Sequence, residues 1–188
     1  MAILPICIYG QPVLHTLAEV VTEFDKELHR LIADMHETTV AAPGVGLAAP
    51  QIGIGKRIFV WNYADQDEAP AIGVAINPEL WIIPPEPGQA DPEHEAEGCL
   101  SFPGERFELR RSAAAKLRAQ DADGKWFEIS ATGWFARIMQ HEYDHLNGYI
   151  YVDRLTGYAH NEAMRIKRKR NWGKPGLSWT PGIDSLEG

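Results

Sequence analysis

His141 and His145 stand four residues apart, and this spacing limits what the chain can fold into more than any other feature. On a helix, residues at that separation lie on one face and present both imidazoles to one point. The flanking apolar residues Ile138, Met139, Leu146 and Ile150 make that helix a core element. The spacing predicts a helix from Thr132 to about Asn147, with Gly148 as its carboxy-terminal stop. Glu142 sits beside the first histidine, where its carboxylate can reach a metal-held water without being a ligand. This is an arrangement suited to metal-dependent amide hydrolysis. The plain alternative is a helix with two surface histidines and a solvated acid.

A catalytic site of this kind needs a third protein ligand and an open position for water. Glu97-Gly98-Cys99-Leu100-Ser101 offers one, because the glycine allows close backbone approach and a thiolate binds zinc or ferrous iron strongly. Cys99 reads equally well as a small buried hydrophobe. With two cysteines, Cys7 and Cys99, no disulfide framework is expected.

The rest of the chain must enclose that helix. At 188 residues it can bury about 70% of its unfolded surface without staples. A first helix is predicted from a cap within Thr22–Asp25 to about Ala42, with Leu28, Leu31, Ile32, Met35 and Val40 as its apolar stripe and Pro43-Gly44 as its stop. Residues 44–53 read as a glycine-rich loop passing close to something. Strands are predicted at Arg57–Asn62, Gly73–Asn77, Phe107–Leu109, Ala113–Gln120 and Lys125–Ser130, the last two joined by the turn Asp121–Gly124. The acidic, proline-laden segment Pro84–Glu97 reads as loop, and a third helix is placed at Tyr158–Arg170. The fold class expected is α+β: mainly antiparallel β-sheets packed around the central metal-binding helix. A single catalytic domain is assigned to residues 1–170, followed by a Gly/Pro/Trp-containing extension over 171–188 that Trp172 and Trp179 can pin to the surface.

Charge narrows the function classes. The 18 Lys plus Arg against 26 Asp plus Glu give a net charge of −8, which argues against DNA binding over the whole surface. The imbalance is local: no basic residue lies between Arg57 and Arg106, where Asp65, Asp67, Glu68, Glu86 and further acids fall, while Arg165–Arg170 is strongly basic. No apolar run approaches the roughly 20 residues of a membrane span. The amino terminus has no basic residue before Lys26 and so lacks the start of a secretory signal; a cytoplasmic location is expected.

Three segments occur in order: Gly44-Val45-Gly46-Leu47-Ala48-Ala49-Pro50-Gln51, Glu97-Gly98-Cys99-Leu100-Ser101 and His141-Glu142-Tyr143-Asp144-His145. They resemble the three signature motifs of the peptide deformylase family, and the likeness extends over roughly residues 3–172. Pro50 departs from the pattern at a position variable in the family, and the tail beyond Trp172 looks like an extension found in only part of it.

The resemblance implies removal of the formyl group from the N-terminal formylmethionine of newly made polypeptides, releasing formate. One divalent ion would be held by Cys99, His141 and His145, with Fe(2+) as the expected native ion and Zn(2+), Ni(2+) or Co(2+) as replacements. Metal-bound hydroxide would attack the formyl carbon while Glu142 accepts and then delivers the proton. The side-chain amide of Gln51 and the backbone N–H of Leu100 would donate to the developing oxyanion. An extended N-formylmethionyl peptide would lie along Gly44, Val45 and Gly46. Trp134 and Ile138, which share a helix face with His141, are assigned to the methionine pocket, and Arg106 to the distal peptide or its carboxylate. Asp144 is assigned to hold a ligand imidazole or a backbone group, or else to a solvated face. Glu97 and Arg111 are expected to pair and brace the Cys99 segment.

Two rival readings remain. A zincin-like endopeptidase would use the same helix with His160 or Glu162 as third ligand, leaving Cys99 idle. Alternatively the metal is structural and the basic strip Arg165–Arg170 binds RNA; the family's carboxy-terminal helix is associated with ribosome contact, which is compatible with catalysis.

Overall fold

The computed structural model describes residues 2–42, 44–64, 71–85, 87–88 and 90–184. Pro43 and the acidic residues Asp65, Asp67, Glu68 and Glu86 named above lie outside them, as do residues 185–188 of the tail. In chain order come β1 (Ile6–Cys7), α1 (Lys26–Ala41), β2 (Gly46–Ala48), β3 (Ile58–Tyr63), β4 (Ala71–Ile82), β5 (Ala96–Cys99), β6 (Phe102–Glu108), β7 (Ala114–Gln120), β8 (Trp126–Thr132), α2 (Gly133–Leu146), α3 (Gly157–Lys169) and β9 (Ser178–Trp179). Strands β2-β3-β4-β7-β8 form an antiparallel sheet in that order, β5 and β6 form a hairpin, and β1 pairs with β9. The α+β class expected from the sequence is the one adopted.

The central helix α2 lies on the five-stranded sheet. Ala136, Ile138, Met139 and Leu146 pack there against Phe59, Ala115, Leu117 and Ala131. A second apolar cluster joins α1, the β5–β6 hairpin and the carboxy-terminal segments through Ile32, Met35, Phe102, Tyr151, Trp172 and Trp179. Cys99 belongs to this second cluster, while the helix that carries His141 and His145 packs on the first.

Helix α1 starts at Asp25, whose carboxylate accepts the Leu28 N–H at 2.9 Å. Its buried face runs through Leu28, Ile32, Met35, Thr38 and Thr39, whereas Val40, expected on that stripe, is 65% exposed. Thr39 takes the inward place because its hydroxyl donates to the Met35 carbonyl at 2.8 Å.

Three expectations need correcting. Residues 44–53 are not a continuous loop, since they contain β2 and a 3₁₀ turn over Ala49–Ile52. The predicted strand ending at Asn77 continues to Ile82, because Asn77 takes a positive φ of 52° at a bulge and the strand bends rather than stops. Its side chain stabilises the bend, binding the Val21 N–H and carbonyl and the Gln120 amide oxygen, each at 2.8 Å. Finally, Ala96 and Glu97 are not loop but open β5.

The acidic middle of the chain meets arginines from elsewhere. Glu79 pairs with Arg118, Glu95 with Arg110 and Arg137, and Glu105 with Arg170. Among the described residues no helix is long and apolar enough to cross a membrane.

Candidate metal centre

Three elements converge beneath a cleft of about 370 Å³. The β5–β6 hairpin brings Glu97, Cys99 and Leu100. The buried face of α2 brings His141, Glu142 and His145, and the 3₁₀ turn after β2 brings Gln51. The Cys99 Sγ lies 3.3 Å from His145 Nε2, and the Nε2 atoms of His145 and His141 are 3.2 Å apart. All three ligand atoms lie within 4.8 Å of one another. Among the described residues this is the only group of three or more His, Cys, Asp and Glu side chains able to share an ion. His160 and Glu162, required by the zincin-like reading, do not join it.

The donor set fits a divalent ion. One sulfur and two ring nitrogens suit zinc or ferrous iron. The surroundings push the two imidazoles in opposite directions. Burial opposes charging of His141, yet the Cys99 sulfur and the Glu97 carboxylate hold its pKa well above the ordinary imidazole value. Burial together with His141 pushes His145 well below it.

Glu97 orients the first imidazole. Its Oε1 accepts the His141 Nδ1–H at 2.7 Å, which fixes the ring with Nε2 directed at the ligand cluster. Arg111 grips the same carboxylate at 2.9 and 2.6 Å, and Arg137 donates to it at 3.0 Å. Burial alone would raise the Glu97 pKa, but Arg111 and His141 hold it far below the usual carboxylate range. The expected Glu97–Arg111 pair therefore exists and also reaches a candidate ligand. Asp144, the residue offered for that imidazole contact, does not make it. Its carboxylate is buried and holds Arg111 at 2.7 Å together with Arg154.

Glu142 is 4% exposed, and its Oε2 has no hydrogen-bond partner among the described residues. Burial pushes its carboxyl up to about 7, against the opposing influence of His141. Such a group exchanges a proton readily near neutrality. Gly46 forms the wall beside it, where an added Cβ would fall 2.5 Å from Glu142 Oε1. Gly46→Ala is expected to lose about 1–3 kcal/mol of stability by overpacking, readable by urea denaturation.

Gln51 is held in one orientation. Its Oε1 accepts the Ala48 N–H at 2.8 Å, so Nε2 must face the cluster, 3.7 Å from Cys99 Sγ and 3.4 Å from the Ser101 hydroxyl. Gly44, Val45, Leu100, Arg106, Trp134 and Ile138 all line the cleft, so every residue singled out for substrate contact borders one space. Arg106 also donates to the Ala96 carbonyl at 3.3 Å.

Sequence reasoning missed Arg137, which lines the cleft and ties Glu97 to the Leu109 carbonyl at 2.7 Å. Its position four residues before His141, on the same helical face, was the available signal. It also left open what the tail touches. Trp179 is 3% exposed and donates its indole N–H to the Leu100 carbonyl at 2.9 Å. Of the basic strip, Arg165 pairs with Glu162, Lys167 lies over the Tyr9 ring and Arg170 pairs with Glu105, while Arg168 and Lys169 are exposed.

Comparison with known proteins finds relatives over nearly the whole chain. The family model described as "Polypeptide deformylase" matches residues 3–161. The peptide deformylase of Rhodococcus opacus is 47% identical over 186 residues, covering 97% of this chain and 95% of that protein. That of Mycolicibacterium paratuberculosis is 46% identical over 189 residues, covering 97% and 96%. Among solved structures, the peptide deformylase of Thermus thermophilus aligns with a TM-score of 0.77 at 35% identity, covering 89% of this chain and 94% of that one. A Synechococcus elongatus peptide deformylase in complex with actinonin aligns with a TM-score of 0.77 at 34% identity, covering 90% and 88%.

Proposed function

The chain belongs to the peptide deformylase family, and from that premise we propose that it removes the formyl group from N-formylmethionine at the start of nascent polypeptides in the cytoplasm, with Cys99, His141 and His145 as metal ligands. The observation that carries this reading is the convergence of one sulfur and two ring nitrogens within 4.8 Å beneath a peptide-sized cleft, beside a buried carboxyl.

A divalent ion, when bound, supplies Lewis-acid chemistry there: it lowers the pKa of water and withdraws charge from a carbonyl oxygen. We assign Fe(2+) as the native ion, with Zn(2+), Ni(2+) and Co(2+) accepted by the same donors. Glu142 takes the proton of the attacking water and returns it to the departing amine, a task suited to a carboxyl pushed up to about 7. Gln51 Nε2 and the Leu100 N–H donate to the formyl oxygen as its charge grows. The Ala48 contact readies the Gln51 amide, so no reorientation is needed at that moment.

The edge of the large sheet receives the substrate backbone. β2 is the terminal strand, and Gly44 and Gly46, on either side of Val45, have no side chains to obstruct an added extended peptide. This mode reads few side chains, as an enzyme acting on many nascent chains requires. Arg106 meets the distal part of the peptide, and Trp134 with Ile138 receives the methionine side chain. Ile138→Ala is expected to raise KM for formyl-Met peptides roughly tenfold and leave kcat within about threefold. Equal KM values for the two proteins would remove Ile138 from the pocket.

The decisive experiment is metal analysis of freshly purified protein coupled to formate release from formyl-Met peptides. About one metal per chain and formate release, both lost in Cys99→Ala, support the assignment. Cleavage of internal bonds in unfolded protein without formate release would instead favour an endopeptidase.

A further inference from the structure

Cys99 pairs across the hairpin with Phe102, which leaves Leu100 and Ser101 as a two-residue connection between β5 and β6. Such connections normally adopt type I′ or II′ turns, which need a positive φ. Neither Leu100 nor Ser101 has one. The turn beside a candidate metal ligand is therefore not of the self-stabilising kind, and groups from distant parts of the chain hold it. The Tyr9 N–H donates to the Ser101 carbonyl at 2.8 Å, and the Trp179 indole N–H donates to the Leu100 carbonyl at 2.9 Å.

The Trp179 contact acts on one particular peptide unit. The carbonyl of the Leu100–Ser101 peptide accepts the indole proton, and the N–H of the same unit donates to Cys99 Sγ at 3.4 Å. A donor on the carbonyl side fixes the plane of the peptide and strengthens its N–H as a donor on the other side. Trp179 is itself immobilised: its backbone lies opposite Ile6 in the β1–β9 pair, and the neighbouring Leu177 carbonyl accepts the Ile8 N–H at 3.0 Å.

We propose that Trp179, in the carboxy-terminal extension, is a positioning residue for the metal centre, acting through the Leu100–Ser101 peptide to hold the Ser101 N–H on the Cys99 sulfur. The extension is on this view a working part of the site rather than an appendage. The proposal rests on the assignment of Cys99 as a ligand.

The test compares full-length wild type with three forms. Trp179→Phe keeps a ring and removes the N–H. Replacement of Trp179 by 3-benzothienylalanine keeps the indole shape with sulfur in place of the N–H, and it decides the matter if the Phe variant fails to fold. A chain ending at Thr180 removes the residues beyond the indole. Three properties are read: amide exchange of Ser101 in the metal-free protein, the sulfur-to-cobalt charge-transfer band of the cobalt-loaded protein, and kcat with KM for a formyl-Met peptide.

Both Trp179 replacements are expected to speed Ser101 exchange about tenfold, shift the band, and lower kcat roughly fivefold with KM within about twofold. That is well short of the roughly 10²–10³ for removing an oxyanion donor outright. The chain ending at Thr180 should match wild type in all three. Wild-type exchange and band position in the benzothienyl form would overturn the proposal, as would a fall in kcat with the band unmoved, which would reduce Trp179 to a tail anchor. If wild type releases no formate, the catalytic reading fails separately, and exchange and the band still decide the role of Trp179.

Discussion

Glu142→Gln is expected to lower kcat by roughly 10²–10⁴, the usual worth of a positioned acid–base group, while KM and metal content stay near wild type. Glutamine keeps the volume and the contact with Gly46 but cannot take a proton from water. The prediction separates two roles that a buried carboxylate beside two imidazoles could play. If Glu142 were a ligand, the substitution would release the ion; if it shuttles protons, the ion stays and turnover fails. Measuring bound metal and formate release on one preparation distinguishes these outcomes. Loss of metal in proportion to activity would overturn the acid–base assignment.

Glu97→Gln is expected to destabilise the protein by about 2–3 kcal/mol, because Arg111 and Arg137 lose the counter-charge they share and keep only Asp144 and Glu95. For a chain of this size that is a fall in Tm on the order of 10 °C. The difference carries a pH signature. The folded pKa of Glu97 is depressed, so its contribution is fully present above the unfolded value of 4.5 and declines as pH falls through the acid range toward the folded value. Urea denaturation of the two proteins should give a wide gap at pH 7 that narrows below about pH 4.5. A gap independent of pH would mean that ionisation of the Glu97 carboxyl is not the source of the difference. Affinity for the ion should also drop by about 10–100-fold, since His141 exchanges a charged carboxylate acceptor for a neutral amide oxygen.

What could be read in advance divides along a physical line. The central helix and its His141, Glu142 and His145 array follow from periodicity, because residues three and four apart are neighbours whatever the rest of the chain does. The Asp25 cap and the Asp121–Gly124 turn are equally local, set by a side chain binding backbone groups a few residues on. Contacts between distant segments leave no such trace. Asp144 occupies a position that could face an imidazole, and only the arrival of Arg111 and Arg154 turns it elsewhere. Asn77-Pro78 carries a turn signal, and the partners at Val21 and Gln120 make it a bend within a strand. Trp179 was expected to pin the tail to the surface; its indole acceptor, 79 positions away, could not be named from the sequence.

The close approach of Gly46 to Glu142 has an implication for how this protein can be altered. The edge strand proposed to dock the peptide and the acid proposed to move the proton share a van der Waals surface, with no room between them for a methyl group. Changes that re-tune recognition along that edge therefore propagate into proton transfer. Selection for tighter-binding variants should find them outside this strand, toward Arg106 on the β5–β6 hairpin, which also lines the cleft.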